Sequence, residues 1–498
     1  MELNSITFIL FLAITAGAYY LLPKKLQNPL LLLASYIFYI WAGPMYALVV
    51  LLSTTFSFFI AKAIARGKTQ KSRRFFMLFG ILLHVLALCV FKYSSFVTDT
   101  PAAALGILPK TEGAFSLILP IGMSFYTFQI IGYLVDVYYK NIEHEQNFLT
   151  YALFISFFPQ ILAGPISRAG EMLPQYREKH HFDYGTVVEG MQRFLTGAFK
   201  KVVVADGLAI FVNGIYDNIT DYKGPMLLFA AVLYAIQIYC DFSGYTDMAV
   251  GAARILGFKF RENFNAPYMA TNLSGFWQRW HMSLTLWLRD YIYLPLCGSR
   301  TGRIRNILLN LVIVFLISGL WHGSTINFLI WGALHGLFRL AEELVKRKRK
   351  KKAKSDGFVL RNLKRLGVFG FSAFAFVFFR IRTLADIGYF FSNLFKSETW
   401  RYMRDQLFEL ALNGMKRTNL YFVMLFGTLV IALVAVVCID VSIDRSIKNR
   451  AICLNPLEKL TRKKRWAVYW LFAILTAMYY LISITGISGA GQFIYAGW

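Results

Sequence analysis

Charge is scarce in this sequence. Asp, Glu, Lys and Arg make up 16% of 498 residues, against about 25% in ordinary globular proteins. A disordered chain, which needs high charge and few apolar residues, is excluded. Acidic residues are the scarcer sign: 27, against 53 Lys plus Arg, for a formal net charge of +26. Cysteine is scarce too. Cys89, Cys240, Cys297, Cys438 and Cys453 form no Cys-x-x-Cys and no paired spacing, which argues against a disulfide scaffold and a thiolate metal site. There is no Gly-x-Ser-x-Gly elbow for a serine hydrolase. There is no His-Glu-x-x-His zinc motif and no phosphate-cradling Gly-rich loop with Lys. The clustered His pairs of membrane di-iron oxygenases are missing as well.

Apolar residues are abundant. A, V, I, L, M, F, W, Y and C supply 57% of the chain and aromatics 17%, and the mean hydropathy is +0.50. One or two soluble cores cannot hide that much apolar surface, so a cytosolic enzyme is excluded. Long unbroken apolar runs also argue against a transmembrane barrel, whose strands alternate. The expected fold is an all-α polytopic membrane protein. The basic residues sit in short loops between apolar runs, which reads as the positive-inside rule and attraction to anionic lipid rather than to nucleic acid.

A spanning helix needs ~20 mostly apolar residues. Ser5 to Leu22 is the first run. Glu2 precedes it and Lys24 and Lys25 follow, the reverse of a signal peptide. It reads as a retained anchor with the N-terminus outside. Further runs lie at 29–43, 45–62, 75–95, 115–135, 148–166, 187–215, 225–240, 268–296, 306–338, 364–379, 384–395, 420–439 and 466–486. They predict about eleven spans plus shorter pieces. Pro159 and Gly164-Pro165 interrupt the middle, so 148–296 reads as a core of short, re-entrant or tilted helices. The segment 396–418 is mixed and reads as interfacial. Lys346 to Lys354 carries eight Lys/Arg in nine positions and reads as a cytoplasmic juxtamembrane loop, where an acidic partner such as a carrier protein could also dock. The whole is one integral-membrane domain over 1–498: N-terminal helices 1–113, a catalytic core 114–345, the basic loop 346–362 and C-terminal helices 363–498.

Three loci place polar groups in apolar surroundings. Asn306 to Phe338 holds no Asp, Glu, Lys or Arg across 33 residues, with His322 at its centre. One straight helix would be ~50 Å long against a ~30 Å hydrocarbon core. Gly319 and Gly323 therefore mark a break that exposes His322 to an internal cavity. An ionisable residue at membrane depth is a functional candidate; the alternative is a neutral His bonded to a backbone carbonyl. The second locus is Phe276 to Leu284. Read as a helix, His281 shares a face with Trp277, Leu284 and Leu288, while Arg279 and Asp290 lie opposite and can pair behind it. Function and a satisfied structural His both remain open there. The third is Tyr239 to Asp247, where Asp241 and Asp247 are read as paired with Arg254, Arg279 or Arg289, since buried charges are normally paired. His84 and His335 read as structural, and His180 and His181 as solvated. Two intramembrane histidines without carboxylate or Cys ligands suit acid–base chemistry better than metal binding.

Together these segments carry a resemblance. Phe158-Pro159-Gln160 through Ala163-Gly164-Pro165-Ile166, Tyr239 to Asp247, Phe276 to Leu284, Trp287-Leu288-Arg289-Asp290-Tyr291, Gly319 to Gly323 and Gly486 to Tyr495 resemble the membrane-bound O-acyltransferases. The likeness is to the bacterial branch acting in alginate O-acetylation, with the teichoic-acid D-alanylation protein a more distant relative. The resemblance implies a ring of helices around a thin, funnel-shaped centre. It implies that His322 is catalytic and that the upstream polar partner falls on His281. Trp321, Trp280, Arg279, Arg289, Asp290, Asp241 and Asp247 are the candidates to line the funnel or support the histidines.

The donors it implies are acyl thioesters, with acetyl-CoA expected here and no bound cofactor or metal; the acceptors are hydroxyls. In the expected mechanism His322 deprotonates the hydroxyl, and His281 or a nearby donor stabilises the oxyanion. The acetyl group would reach an exported cell-surface polysaccharide, through an extracytoplasmic SGNH-type transferase or an export complex, at the bacterial plasma membrane. A D-alanyl or fatty-acyl transferase and a non-catalytic transporter or flippase are the competing readings. Loss of the thioester separates catalysis from transport.

Overall fold

A computed structural model of the protein describes residues 1–98, 120–162, 164–297, 304–348, 357–413, 419–448, 457 and 460–484. Ala163, Cys453, the tail from Gly486 to Tyr495 and the basic run beyond Lys348 lie outside the described residues. Every regular element among the described residues is helical. Five helices are long and apolar enough to cross a membrane: Pro44–Arg66, Gln70–Tyr93, Pro225–Ile255, Phe358–Arg380 and Gly427–Arg445. Ile6–Leu21 and Leu308–His322 are shorter apolar helices. Other apolar runs fold into short pieces, such as Phe148–Ser156, which has 9 residues.

The chain packs as two compact units. The first comprises Met1–Met191, Ala249–Arg261 and Leu286–Pro295. Its helices start on local signals. The Ser5 hydroxyl accepts from the Phe8 N–H at 3.1 Å, and the Asn147 side chain accepts from the Leu149 N–H at 2.9 Å; both supply acceptors to otherwise orphaned N–H groups. The helices Pro44–Arg66, Gln70–Thr98 and Met123–Tyr139 pack together. Gly80 permits the close approach: a Cβ there would stand 2.7 Å from Leu134 Cδ1 and 2.9 Å from Ile60 Cγ2. His84, one turn on, faces two backbone carbonyls, Nδ1 to Gly80 at 2.8 Å and Nε2 to Ser53 at 3.3 Å.

Trp287 stacks on Phe128 at 3.9 Å and donates Nε1–H to the Phe128 carbonyl at 2.8 Å. Asp290 pairs with Arg168 and, at 2.7 Å, with the half-exposed Arg289. Asp290 is therefore not the partner of Arg279. His180 is not simply solvated: it meets the Tyr19 hydroxyl at 2.9 Å and packs edge-on to Phe258, whereas His181 is exposed. Arg254 pairs with Glu189 at 2.8 Å.

The second unit comprises Gln192–Met248, Glu262–Thr285 and Leu296–Trp498. Its interior carries an ionic cluster. The helix that begins at Tyr184 widens into a π-helical turn over Phe199–Ala205, and that extra residue puts both Lys200 and Lys201 inside. Lys201 meets Asp241 at 2.6 Å and Asp206 at 2.8 Å. Asp247 takes Lys200 at 2.9 Å and Arg193 at 2.7 Å. Both aspartates are paired, as expected for buried charge, but not with Arg254, Arg279 or Arg289. Both lysines fall inside the 187–215 run, whose periodicity carries no sign of the change of helical pitch at Phe199.

Candidate functional site

The 306–338 stretch folds as a hairpin. One helix runs Ile304–His322 and the next Ile326–Lys348. The break falls at Gly323, where the glycine pattern placed it. Glycines let the two helices touch. A Cβ on Gly319 would lie 2.3 Å from the Phe328 carbonyl oxygen, and one on Gly332 2.5 Å from the Phe315 carbonyl oxygen. At Gly323 it would fall 2.0 Å from the Phe328 ring. Such small-residue crossings are the usual means of close helix packing in membranes.

His322 is the last residue of the first helix and is 4% exposed. Three rings wall it: Trp321 at 4.9 Å, Trp331 at 5.2 Å and Phe379 at 5.2 Å between centroids. Trp321 also lies 6.1 Å from the His281 ring. One indole thus touches both candidate histidines.

His281 does not sit in a continuous helix. Leu273–Trp277 is one short helix and Met282–Leu288 another. Between them His281 adopts φ 44°, the left-handed region that is uncommon for a non-glycine residue and worth a functional explanation. The turn resets the face that helical periodicity assigned. Asn263 organises it. Its carboxamide oxygen accepts from the Ser283 N–H at 3.2 Å and the Ser283 hydroxyl at 2.9 Å, and meets His281 Nδ1 at 3.0 Å. Its backbone carbonyl accepts from the Met282 N–H at 2.9 Å. A backbone N–H can only donate, so the atom is oxygen and not a flipped amide nitrogen. A carboxamide oxygen can only accept, so His281 Nδ1 carries the hydrogen. In neutral His281 the lone pair is then on Nε2. Both residues are fully buried.

The flanking residues are held from elsewhere in the unit. Arg279 pairs with Asp444 at 3.0 Å, and Asp444 also takes Arg365 at 2.7 Å. Trp280 stacks on Phe276 at 5.4 Å. Glu342 accepts from the N–H groups of Leu273 and Ser274 at 2.9 and 3.0 Å. His335 Nδ1 accepts the Trp277 Nε1–H at 3.3 Å. The structure thus brings His322, His281, Trp321, Trp280 and Arg279 into the second unit with the paired Asp241 and Asp247. Arg289 and Asp290 belong to the first unit.

Asn263, Trp331, Asp444 and Asp440, which accepts the Tyr239 hydroxyl at 2.9 Å, were not singled out in the sequence. Asn263 had no signal there. Asp440 and Asp444 did: two carboxylates one turn apart at the end of an apolar run. Among the described residues no three His, Cys, Asp or Glu side chains group as a metal site.

The fold defines a multi-pass helical membrane protein, with two buried histidines that share a contact with one indole. A family model described as membrane-bound O-acyltransferase matches residues 138–385. The chain belongs to the membrane-bound O-acyltransferase family and is an acyltransferase. It is similar to the probable alginate O-acetylase of Pseudomonas aeruginosa, 34% identical over 433 residues, covering 86% of this chain and 79% of the relative. The corresponding protein of Pseudomonas syringae is 37% identical over 344 residues, covering 69% and 66%. A peptidoglycan O-acetyltransferase of Helicobacter pylori is 35% identical over 359 residues, covering 66% and 67%. The teichoic acid D-alanyltransferase of Bacillus subtilis is more distant, 28% identical over 232 residues and 45% of this chain. The matched segments thus span about two thirds to four fifths of the O-acetylating relatives' own length.

Proposed function

We propose that the protein moves acetyl groups from cytoplasmic acetyl-CoA towards hydroxyls of an exported cell-surface polysaccharide. His322 is the proton acceptor. The observation that carries the reading is the placement of His322 at the break of an uncharged hairpin, between Trp331, Phe379 and an indole shared with His281. In the step, His322 takes the hydroxyl proton as the oxygen attacks the thioester carbonyl. The C–S bond then breaks, and the leaving thiolate takes the proton from His322 to become free CoA. His281, with its hydrogen directed to Asn263, presents an acceptor nitrogen that orients a substrate O–H or N–H. The aromatic walls exclude water that would hydrolyse the thioester.

The site operates in the bacterial plasma membrane with the N-terminus outside. The acetyl group is passed to an extracytoplasmic SGNH-type transferase or an export complex that completes polysaccharide acylation. The basic segment from Lys346 serves CoA or an acyl-carrier protein on the cytoplasmic side.

Inside-out vesicles with radiolabelled acetyl-CoA test this. Label should reach the lumenal face in step with CoA release, and His322→Ala should lose both. Label crossing with the thioester intact would make the protein a transporter. Activity only with carrier-bound D-alanine would place it with the D-alanyl transferases.

A further inference from the structure

Next to His322, two adjacent buried hydrogen-bond donors have no acceptor among the described residues. Trp331 Nε1 and His335 Nε2 make no hydrogen bond among the described residues. Trp331 is 1% exposed and His335 0%. The identity of the second donor follows from its neighbour. The Trp277 indole N–H can only donate, so His335 Nδ1 accepts, and a neutral imidazole then carries its hydrogen on Nε2. A buried donor left unsatisfied gives up its hydrogen bonds to water with nothing in return. Two of them side by side call for an acceptor.

Their placement says which one. Trp331 and His335 are one turn apart on the Ile326–Lys348 helix, on the same face, with ring centroids 4.8 Å apart. Trp331 is in turn 5.2 Å from the His322 ring. The other rings in contact with the pair are Phe315, Phe371, Phe379 and Trp277, of which only the Trp277 indole has a polar atom, and its N–H is already used. His281 cannot fill the same role while neutral, because Asn263 holds its only hydrogen.

We propose that the N–H groups of Trp331 and His335 form the site that receives the donor's thioester carbonyl oxygen, beside His322. This rests on the acetyl-transfer reading above and adds its electrophile-binding half. As the hydroxyl attacks, negative charge gathers on that oxygen. Two fixed donors in a dry, apolar setting stabilise it with little reorganisation.

The test uses full-length protein in vesicles. Trp331→Phe keeps the ring and removes the N–H. Loss of one such donor lowers kcat by about 100-fold, with KM for acetyl-CoA nearly unchanged. The melting temperature should hold or rise, because an unsatisfied donor has been removed; loss of a structural hydrogen bond would lower it. A direct readout uses protein carrying 15N-labelled tryptophan, with the Trp331 resonance found by its absence in Trp331→Phe. A ketone analogue of acetyl-CoA, with methylene in place of the thioester sulfur, should move that indole proton downfield. The analogue lacking the carbonyl oxygen should not.

If both analogues compete with acetyl-CoA and neither moves the resonance, or both move it equally, the donors serve a buried water or nothing, and the proposal is overturned. Wild-type kcat in Trp331→Phe beside a dead His322→Ala would remove this donor pair and leave His322 in place. An active His322→Ala would instead remove the reading of the site itself.

Discussion

His84 in the first unit and His322 in the second are both buried histidines in uncharged helical surroundings, and they differ in what they touch. His84 faces backbone carbonyls with each ring nitrogen. His322 ends a helix against three aromatic rings, and His281 spends one nitrogen on Asn263 in a left-handed turn. The difference is in the kind of partner: main-chain carbonyls for His84, and side chains for the candidate-site histidines, aromatic rings at His322 and a carboxamide at His281. The glycines repeat the contrast. Gly80 lets side chains of neighbouring helices interlock, whereas Gly319 and Gly332 bring backbone against backbone beside the histidine.

The largest effect that sharpens this comparison is on turnover. His322→Ala should lower acetyl transfer by about 1,000-fold, the scale of a lost general base, and leave the melting temperature within a few degrees. Next is stability in the ionic cluster. Lys201→Met leaves Asp206 and Asp241 without their shared cation and should cost about 3–5 kcal/mol, read as a fall in thermal stability in detergent. Asn263→Leu should lower kcat by about 10–100-fold through a mis-set His281. Asn263→Asp, which still accepts from Nδ1–H, should recover most of it, and in a His281→Gln background Asn263→Leu should add little. Smallest is Gly80→Ala in the first unit, where overpacking against Leu134 and Ile60 should cost about 1–3 kcal/mol with kcat unchanged in the protein that remains folded.

Much of this was legible in the sequence where a single period or a length limit applied. The 33-residue uncharged stretch is too long for one span, and Gly319 and Gly323 marked where it turns; the break lies there. Periodicity failed at His281, because one left-handed residue rotates everything after it. Ion pairing failed for the same kind of reason. Arg279 finds Asp444 from 165 positions away, and no local spacing encodes that. Lys200 and Lys201 were not legible as the partners of Asp247 and Asp241, because the π-helical turn over Phe199–Ala205 that carries them leaves no mark in the sequence pattern. Asn263 lies 18 positions before His281, in a polar stretch that gives no hint of its role.

The most direct measurement compares CoA release from acetyl-CoA in matched vesicles of wild type, His322→Ala and His84→Ala, with folded protein quantified in each. The account predicts release by wild type and by His84→Ala in proportion to folded protein, and none above background from His322→Ala. Equal release per folded molecule from all three would contradict it, since His322 would then be no more than another structural histidine.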